Sequence, residues 1–245
     1  MEINGNSMSL GQVERKKSLG MEVSSLADLV TTQIRELIIT GAFHQGQQLK
    51  EDELCKLFAI SRPPIREAFK TLEANGLVMR KPRRGVYVSE FTPKDVEEVY
   101  TIVAMLYQKA SELAMEVMTE ESIREMATHV ELMEKYAQAN PPNLRDYQAA
   151  HRAFHETIMS LSGNRRMMEL EKQLRYQISI MSYKSFQEPE HLTSSLNYHR
   201  NILNAIRQGN KKETLALMEE HVLKALVFLV KKISSRNHAA NTMSS

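Results

Sequence analysis

The stretch Ser61–Val88, SRPPIREAFKTLEANGLVMRKPRRGVYV, leaves the chain little conformational choice. A proline inside a helix removes a hydrogen bond and clashes with the preceding turn, so Pro63 and Pro64 fit only a first turn. Ser61 then stands at the N-cap, where a hydroxyl is favoured. Ile65, Ala68, Phe69 and Leu72 follow at helical spacing as a buried stripe. Asn75-Gly76 stops the helix. Beyond it the pattern changes. Val78 leads into a strand, Arg84-Gly85 forms a tip, and Val86-Tyr87-Val88 returns with β-branched and aromatic residues, a hairpin signal.

The flanking sequence completes the pattern. Leu26, Leu29, Val30, Ile34, Leu37 and Ile38 predict a helix that Gly41 ends, and AFHQGQQL reads as a turn with a short extended piece. EDELCKLFAI predicts a short second helix with Leu54, Leu57 and Phe58 on one face. Its first turn holds Glu51, Asp52 and Glu53, where the helix dipole favours negative charge. Residues 1–24, rich in Ser, Gly, Asn, Lys and Glu, read as a mobile arm. Phe91-Thr92-Pro93 is a break, with Thr92 a cap and Pro93 a first helical residue. Helices are then expected over 93–118, 120–138, 143–161, 164–186, 189–208 and 210–232, and no strand pattern intervenes. The expected fold is mostly α. A winged helix-turn-helix with a small β-hairpin wing spans 25–91, an all-α bundle of about six helices spans 92–233, and a flexible polar tail covers 234–245.

Composition narrows the setting. Of 245 residues, 42% are hydrophobic, enough for a real core. The single Cys55 excludes an internal disulfide framework and fits a reducing compartment. No apolar run approaches the roughly 20 residues of a membrane helix, and no signal-peptide pattern opens the chain, so a soluble cytoplasmic protein is expected. The net charge of +2 is uninformative, but its distribution is not. Arg62 to Arg84 carries seven basic and two acidic residues, whereas Ser25 to Ser61 carries three basic and five acidic. Focused positive charge is an electrostatic footprint for nucleic acid, although a solvated basic face would look the same by charge alone.

Order and spacing favour the first reading. A short third helix can enter the major groove N-terminus first, and Arg62 and Arg66, one turn apart, share a face. Ser61 can reach a phosphate at that helix end. Gly85 permits close backbone approach at the wing tip, and Arg80, Lys81, Arg83 and Arg84 supply charge for phosphates or the minor groove. SRPPIREAFKTLEANGLV with RRGVYV resembles the signature of the GntR family of bacterial transcription regulators. GAFHQGQQLKEDELCKLFAI resembles that family's lead-in. The resemblance implies DNA contacts by Ser61, Arg62, Pro64, Arg66 and Gly85. It also implies a homodimer on a palindromic double-stranded DNA operator; a repressor is the expected type, with activation left open.

A second constellation lies downstream. His151 and His155 in HRAFHETI are four residues apart and share one helix face, a common way to chelate a metal. His199 and His221 follow on two later predicted helices. Scattered histidines need no role, as His44, His129, His191 and His238 illustrate. FHETIMSLSGN and NYHRNILNAIRQGNKKETLALMEEH, however, resemble the FadR C-terminal (FCD) type of effector domain. Its metal-binding members use three histidines, matched here by His155, His199 and His221, and an Asp four residues before the first. That position is His151 here, and Asp146 falls on a different face. Four imidazoles without a carboxylate suit Zn²⁺, Ni²⁺ or Cu²⁺ better than Mn²⁺ or Mg²⁺, with Zn or Ni expected. The branch's Arg and Glu fall at Val103 and Tyr107, so the usual grip on a carboxylate effector is absent or supplied elsewhere. Arg152, Arg175 and Tyr176 are candidates. A metal-dependent helical-bundle enzyme is the alternative, but four histidines would fill a tetrahedral site, and Glu156 is the sole carboxylate beside them; a non-enzymatic regulator is expected.

Overall fold

The protein is described by a computed structural model, which covers the backbone of residues 25–242 and the side chains of residues 25–235. The expected arm over 1–24 lies outside the described residues.

α1 (Leu26–Ile39) starts at Ser25, whose hydroxyl accepts from the Asp28 N–H at 3.1 Å while Asp28 accepts from the Ser25 N–H at 2.9 Å. This reciprocal capping box satisfies two donors that a helix start otherwise leaves bare. β1 (Gln48–Leu49) and α2 (Glu51–Phe58) follow, then α3 (Arg62–Ala74), β2 (Val78–Lys81) and β3 (Gly85–Val88). The strands form one antiparallel sheet in the order β1-β3-β2, with Val78 opposite Val88 and Gln48 opposite Tyr87. The short extended piece therefore becomes a third strand beside the hairpin. Ile34, Ile38, Leu54, Ile65, Phe69, Leu72 and Val88 fill the core of this head. Leu57 does not join them and is 53% exposed. In an eight-residue helix the inward stripe is narrow; Leu54 and Phe58, at i and i+4, occupy it.

Thr92 and Asp95 repeat the capping box at the start of α4 (Pro93–Val117). Five more helices complete the bundle: α5 (Glu120–Ala137), α6 (Leu144–Leu161), α7 (Arg165–Phe186), α8 (Pro189–Arg207) and α9 (Lys211–Thr242). α4 and α9 run antiparallel, tied by Gln108 to Glu219 at 2.7 Å and Lys211 to Glu116 at 3.1 Å. The flexible tail expected from 234 is instead backbone helix to Thr242. No Gly or Pro interrupts that segment, and two alanines support it. No described helix is long and apolar enough to cross a membrane.

One helix is shared by both units. Ile180 of α7 is buried in the core of the head, with Tyr176 and Tyr183 packed against the same cluster. Arg35 of α1 lies over the Tyr176 ring at 4.5 Å and donates to its hydroxyl at 3.1 Å. Gly76, at φ +68°, ends α3 so close to α7 that a Cβ there would sit 2.6 Å from Gln177 Nε2. The opposite face of α7 borders a cavity in the bundle.

Candidate functional site

The basic surface of the head has two parts. At the first turn of α3, Ser61 occupies the N-cap, but its hydroxyl makes no capping bond and stays available. Arg62 and Arg66 are exposed, and Pro64 is half-buried between them. Each arginine faces an acid of α2: Arg62 with Asp52 at 2.9 Å, Arg66 with Glu51 at 2.9 Å. The second part is the wing. Gln48 and Tyr87 both donate to the Arg84 carbonyl, at 2.7 and 3.2 Å, which pins the tip. Gly85 adopts φ +103°, and Arg83 the left-handed φ of 59°. Lys81 lies over the Tyr87 ring at 4.6 Å, and Arg80 pairs with Glu73 at 3.5 Å. Arg83 and Arg84 make no ion pair with any described residue and point charge outward. No hydrogen bond or ion pair among the described residues joins the α3 turn to the wing tip.

The four histidines do converge. α6 supplies His151 and His155, α8 His199 and α9 His221, and their ligand nitrogens all lie within 4.8 Å of one another. His155 Nε2 and His199 Nε2 are 3.1 Å apart, near the roughly 3.3 Å edge of a tetrahedral zinc–nitrogen site. His199 Nδ1 lies 2.7 Å from the Ser195 carbonyl, so Nδ1 carries the proton and Nε2 is left with its lone pair. His155 Nδ1 and His221 Nδ1 are buried without a hydrogen-bond partner. Tyr107 stacks flat on His155 with centroids 4.4 Å apart, and Phe154 meets His199 edge-on at 4.9 Å. These walls fix the rings. Orphaned buried nitrogens and four converging imidazoles fit a borderline or soft divalent metal.

Burial pushes all four imidazoles to lower pKa, with mutual repulsion adding to it for His151, His155 and His221; these three fall well below 6.5. His199 falls to about 4, burial outweighing the support of the Ser195 carbonyl. All four are neutral at pH 7 and need release no proton to ligate. A depressed folded-state pKa means that the unfolded chain takes up protons first as pH drops. In the metal-stripped protein this stability is therefore fully present above about 6.5 and is lost as pH falls toward 4. The unfolding midpoint should decline steeply across that window and stay flat from pH 7 to 8; thermal melts at each pH check this.

A cavity of ≈ 50 Å³ adjoins the histidines, in a measure by which one water needs ~10–15 Å³. Val103 and Tyr107 line it from α4, and Arg152 and Arg175 reach it from α6 and α7. Arg175 is bound bidentately by Glu171, which is only 2% exposed, and also pairs with Glu156; Arg152 pairs with Glu156 at 3.7 Å. Tyr107 donates to Glu171 at 3.3 Å, and burial, with that carboxylate, holds its phenol protonated, well above a pKa of 10. Tyr176, expected at an effector site, is turned away. Adjacent residues of a helix differ by about 100°, so with Arg175 in the cavity Tyr176 must face the head. Two further residues line this cavity. His191, with a pKa lowered to about 4 by burial, stacks on Phe228 at 4.5 Å and lines the cavity. Glu171 is the other; its one signal in the sequence is its place one turn before Arg175.

Family models match both halves of the chain. The family model "Bacterial regulatory proteins, gntR family" matches residues 26–88, and the FCD domain model matches residues 98–224. The HTH-type transcriptional regulator YdhC of Bacillus subtilis is 30% identical over 78% of this chain and 83% of its own. The transcriptional repressor RspR of Escherichia coli is 23% identical over 77% of this chain and 82% of its own. The gluconate operon repressor of Bacillus subtilis is 29% identical over 53% of this chain and 52% of its own. In fold, the chain is similar to a GntR-type regulator structure from Rhodococcus sp. RHA1 (TM-score 0.74, 22% identity, 85% of this chain and 99% of that one). It is also similar to E. coli McbR/YncC (TM-score 0.73, 19% identity, 85% and 99%).

Proposed function

The chain belongs to the GntR family of bacterial regulatory proteins, in the branch with an FCD domain, and is a DNA-binding transcription regulator; from this we propose that it is a metal-holding, ligand-responsive repressor. The observation that carries the finer reading is the convergence of four neutral imidazoles beside a cavity walled by the helix that also packs into the head. In this reading the first turn of α3 reads bases through Arg62 and Arg66, while Ser61, Pro64 and the wing residues Arg80, Lys81, Arg83, Arg84 and Gly85 follow the backbone. His151, His155, His199 and His221 hold Zn²⁺ or Ni²⁺. The cavity admits only a few atoms beside the metal, so the effector is small. Arg152 and Arg175 are the cations that would meet an anionic effector such as a carboxylate. Repression as the sense of action follows relatives that are named repressors.

Dimerisation also belongs to this reading. Ile102 and Met105 of α4 and Leu223 and Val227 of α9 are exposed large apolar residues on neighbouring antiparallel helices, and Val227 is 66% exposed. A second copy covering this face would place two heads on a two-fold site. Selection from duplexes with a randomised centre should then return a two-fold symmetric sequence. Val227→Glu should shift the sedimenting species toward the monomer mass and reduce the selected sequence to a half-site. A symmetric sequence selected by a protein that sediments as a monomer before and after the change would refute the face.

A further inference from the structure

The two arginines at the start of α3 are held from behind. The first turn of α2 presents three acids, and they are used differently. Glu53 is taken by its neighbour Lys50 at 2.8 Å. Asp52 and Glu51 reach across to α3 instead. Asp52 Oδ1 accepts from Arg62 Nε at 2.9 Å and lies 2.9 Å from its Nη2. Glu51 accepts from Arg66 Nε with both oxygens, at 3.1 and 2.9 Å. The Arg66 contact uses Nε alone. Its Nη1 and Nη2, the fork that can match guanine O6 and N7, make no hydrogen bond with any described residue. Arg62 differs: Asp52 engages both its Nε and its Nη2, and only Nη1 is left without a hydrogen bond to a described residue.

Stability alone does not account for this arrangement. Both arginines are 59% exposed, and exposed ion pairs contribute little to folding. The acids also face the surface that would meet DNA, where they repel phosphates of every sequence. What they supply is order. A long flexible side chain loses rotamer freedom when it docks, and one already held by its Nε edge loses less. Repulsion falls equally on all sequences, whereas the positioned fork rewards only a base that matches it. The combined effect is discrimination rather than raw affinity.

We propose that Glu51 and Asp52 are positioning residues for DNA reading, Glu51 orienting Arg66 and Asp52 orienting Arg62 toward guanine in the major groove. This rests on the reading that α3 enters that groove. The test uses the full-length protein and two labelled duplexes: one recovered by selection from a randomised library, and one with the same composition and a scrambled centre. Fluorescence anisotropy gives both affinities for the unaltered protein and for Glu51→Gln, Glu51→Ala, Glu51→Asp and Arg66→Ala. Glu51→Ala should weaken the selected duplex and tighten the scrambled one, lowering their ratio by about tenfold. Glu51→Gln, which keeps an acceptor oxygen but no charge, should fall between, and Glu51→Asp should restore part of the ratio. Selection repeated with Glu51→Ala should lose preference at the same base pair as Arg66→Ala. Melting midpoints separate this from damage to α2, which would lower both affinities together. Equal changes on the two duplexes, or none, would overturn the positioning role. If Arg66→Ala also leaves the ratio unchanged, the groove assignment of α3 falls with it; if only Glu51→Ala does, the positioning role falls alone.

Discussion

Zinc added in thousandfold excess over its dissociation constant raises the unfolding midpoint of the metal-stripped protein by on the order of 10 °C, and His199→Ala at the same zinc concentration reduces the rise. An ion that binds only the folded state at that excess contributes about 4 kcal/mol. A chain of this size gains roughly 2–4 °C for each kcal/mol. In the proposed centre His199 is the ligand to remove, because it is fully buried and its Nδ1 is committed to the Ser195 carbonyl. Alanine there leaves three imidazoles, which can still hold zinc with water in the fourth position, but more weakly. The substitution also removes buried volume, so the midpoint without metal falls as well; the informative quantity is the difference with and without zinc. His151→Asp provides a second reading of the same chemistry. It replaces one imidazole by a hard oxygen ligand at the edge of the cavity and should raise the response to Mn²⁺ relative to Zn²⁺. Equal zinc responses in the unaltered protein and His199→Ala would remove the metal centre from the account.

Arg66→Ala weakens binding to a selected duplex by about 1–3 kcal/mol, the range for one bidentate base contact, and relaxes the preference at a single base pair. Arg62→Ala behaves similarly at a neighbouring position. Arg83→Ala and Arg84→Ala should behave differently. These side chains carry unpaired charge at the wing tip, so their loss weakens binding to all sequences alike and lowers the salt dependence by about one charge each. The contrast follows from position. Arg62 and Arg66 are exposed one turn apart at the start of a helix and held by acids of α2, whereas Arg83 and Arg84 sit on a turn pinned through the Arg84 carbonyl. Competition titrations with substituted duplexes, at two salt concentrations, separate the two classes.

Much of this arrangement was legible in the sequence, for local reasons. Pro63, Pro64 and Pro93 admit one helical position, and Thr92 caps its helix as its residue type suggests, so the element boundaries follow from steric rules. The pairing of His151 with His155 follows from helical period. What period does not encode is the neighbour across the gap. Arg175 and Tyr176 look equivalent in sequence, yet one enters the cavity and the other the head, because α7 is packed on both sides. Glu171 and His191 are not legible in the sequence because each acquires its role only beside a residue from another helix, Tyr107 and Phe228. Leu57 shows the opposite failure: an apolar residue at helical spacing that the short α2 leaves outside. Glu51 and Asp52 read as dipole partners of α2, a local role that is true but incomplete, since their side chains reach α3.

The shared helix α7 packs into the head on one side and borders the four-histidine cavity on the other, so in the proposed regulator each should sense the other. Linkage makes this measurable in either direction. The most direct measurement is one titration: anisotropy of a selected duplex with the zinc-loaded and the metal-stripped protein, both below the temperature at which either melts. Affinities should differ by at least about fivefold, the lower end of ordinary allosteric coupling, and the difference should shrink in His199→Ala. Equal affinities in the two metal states of the unaltered protein would contradict this coupling.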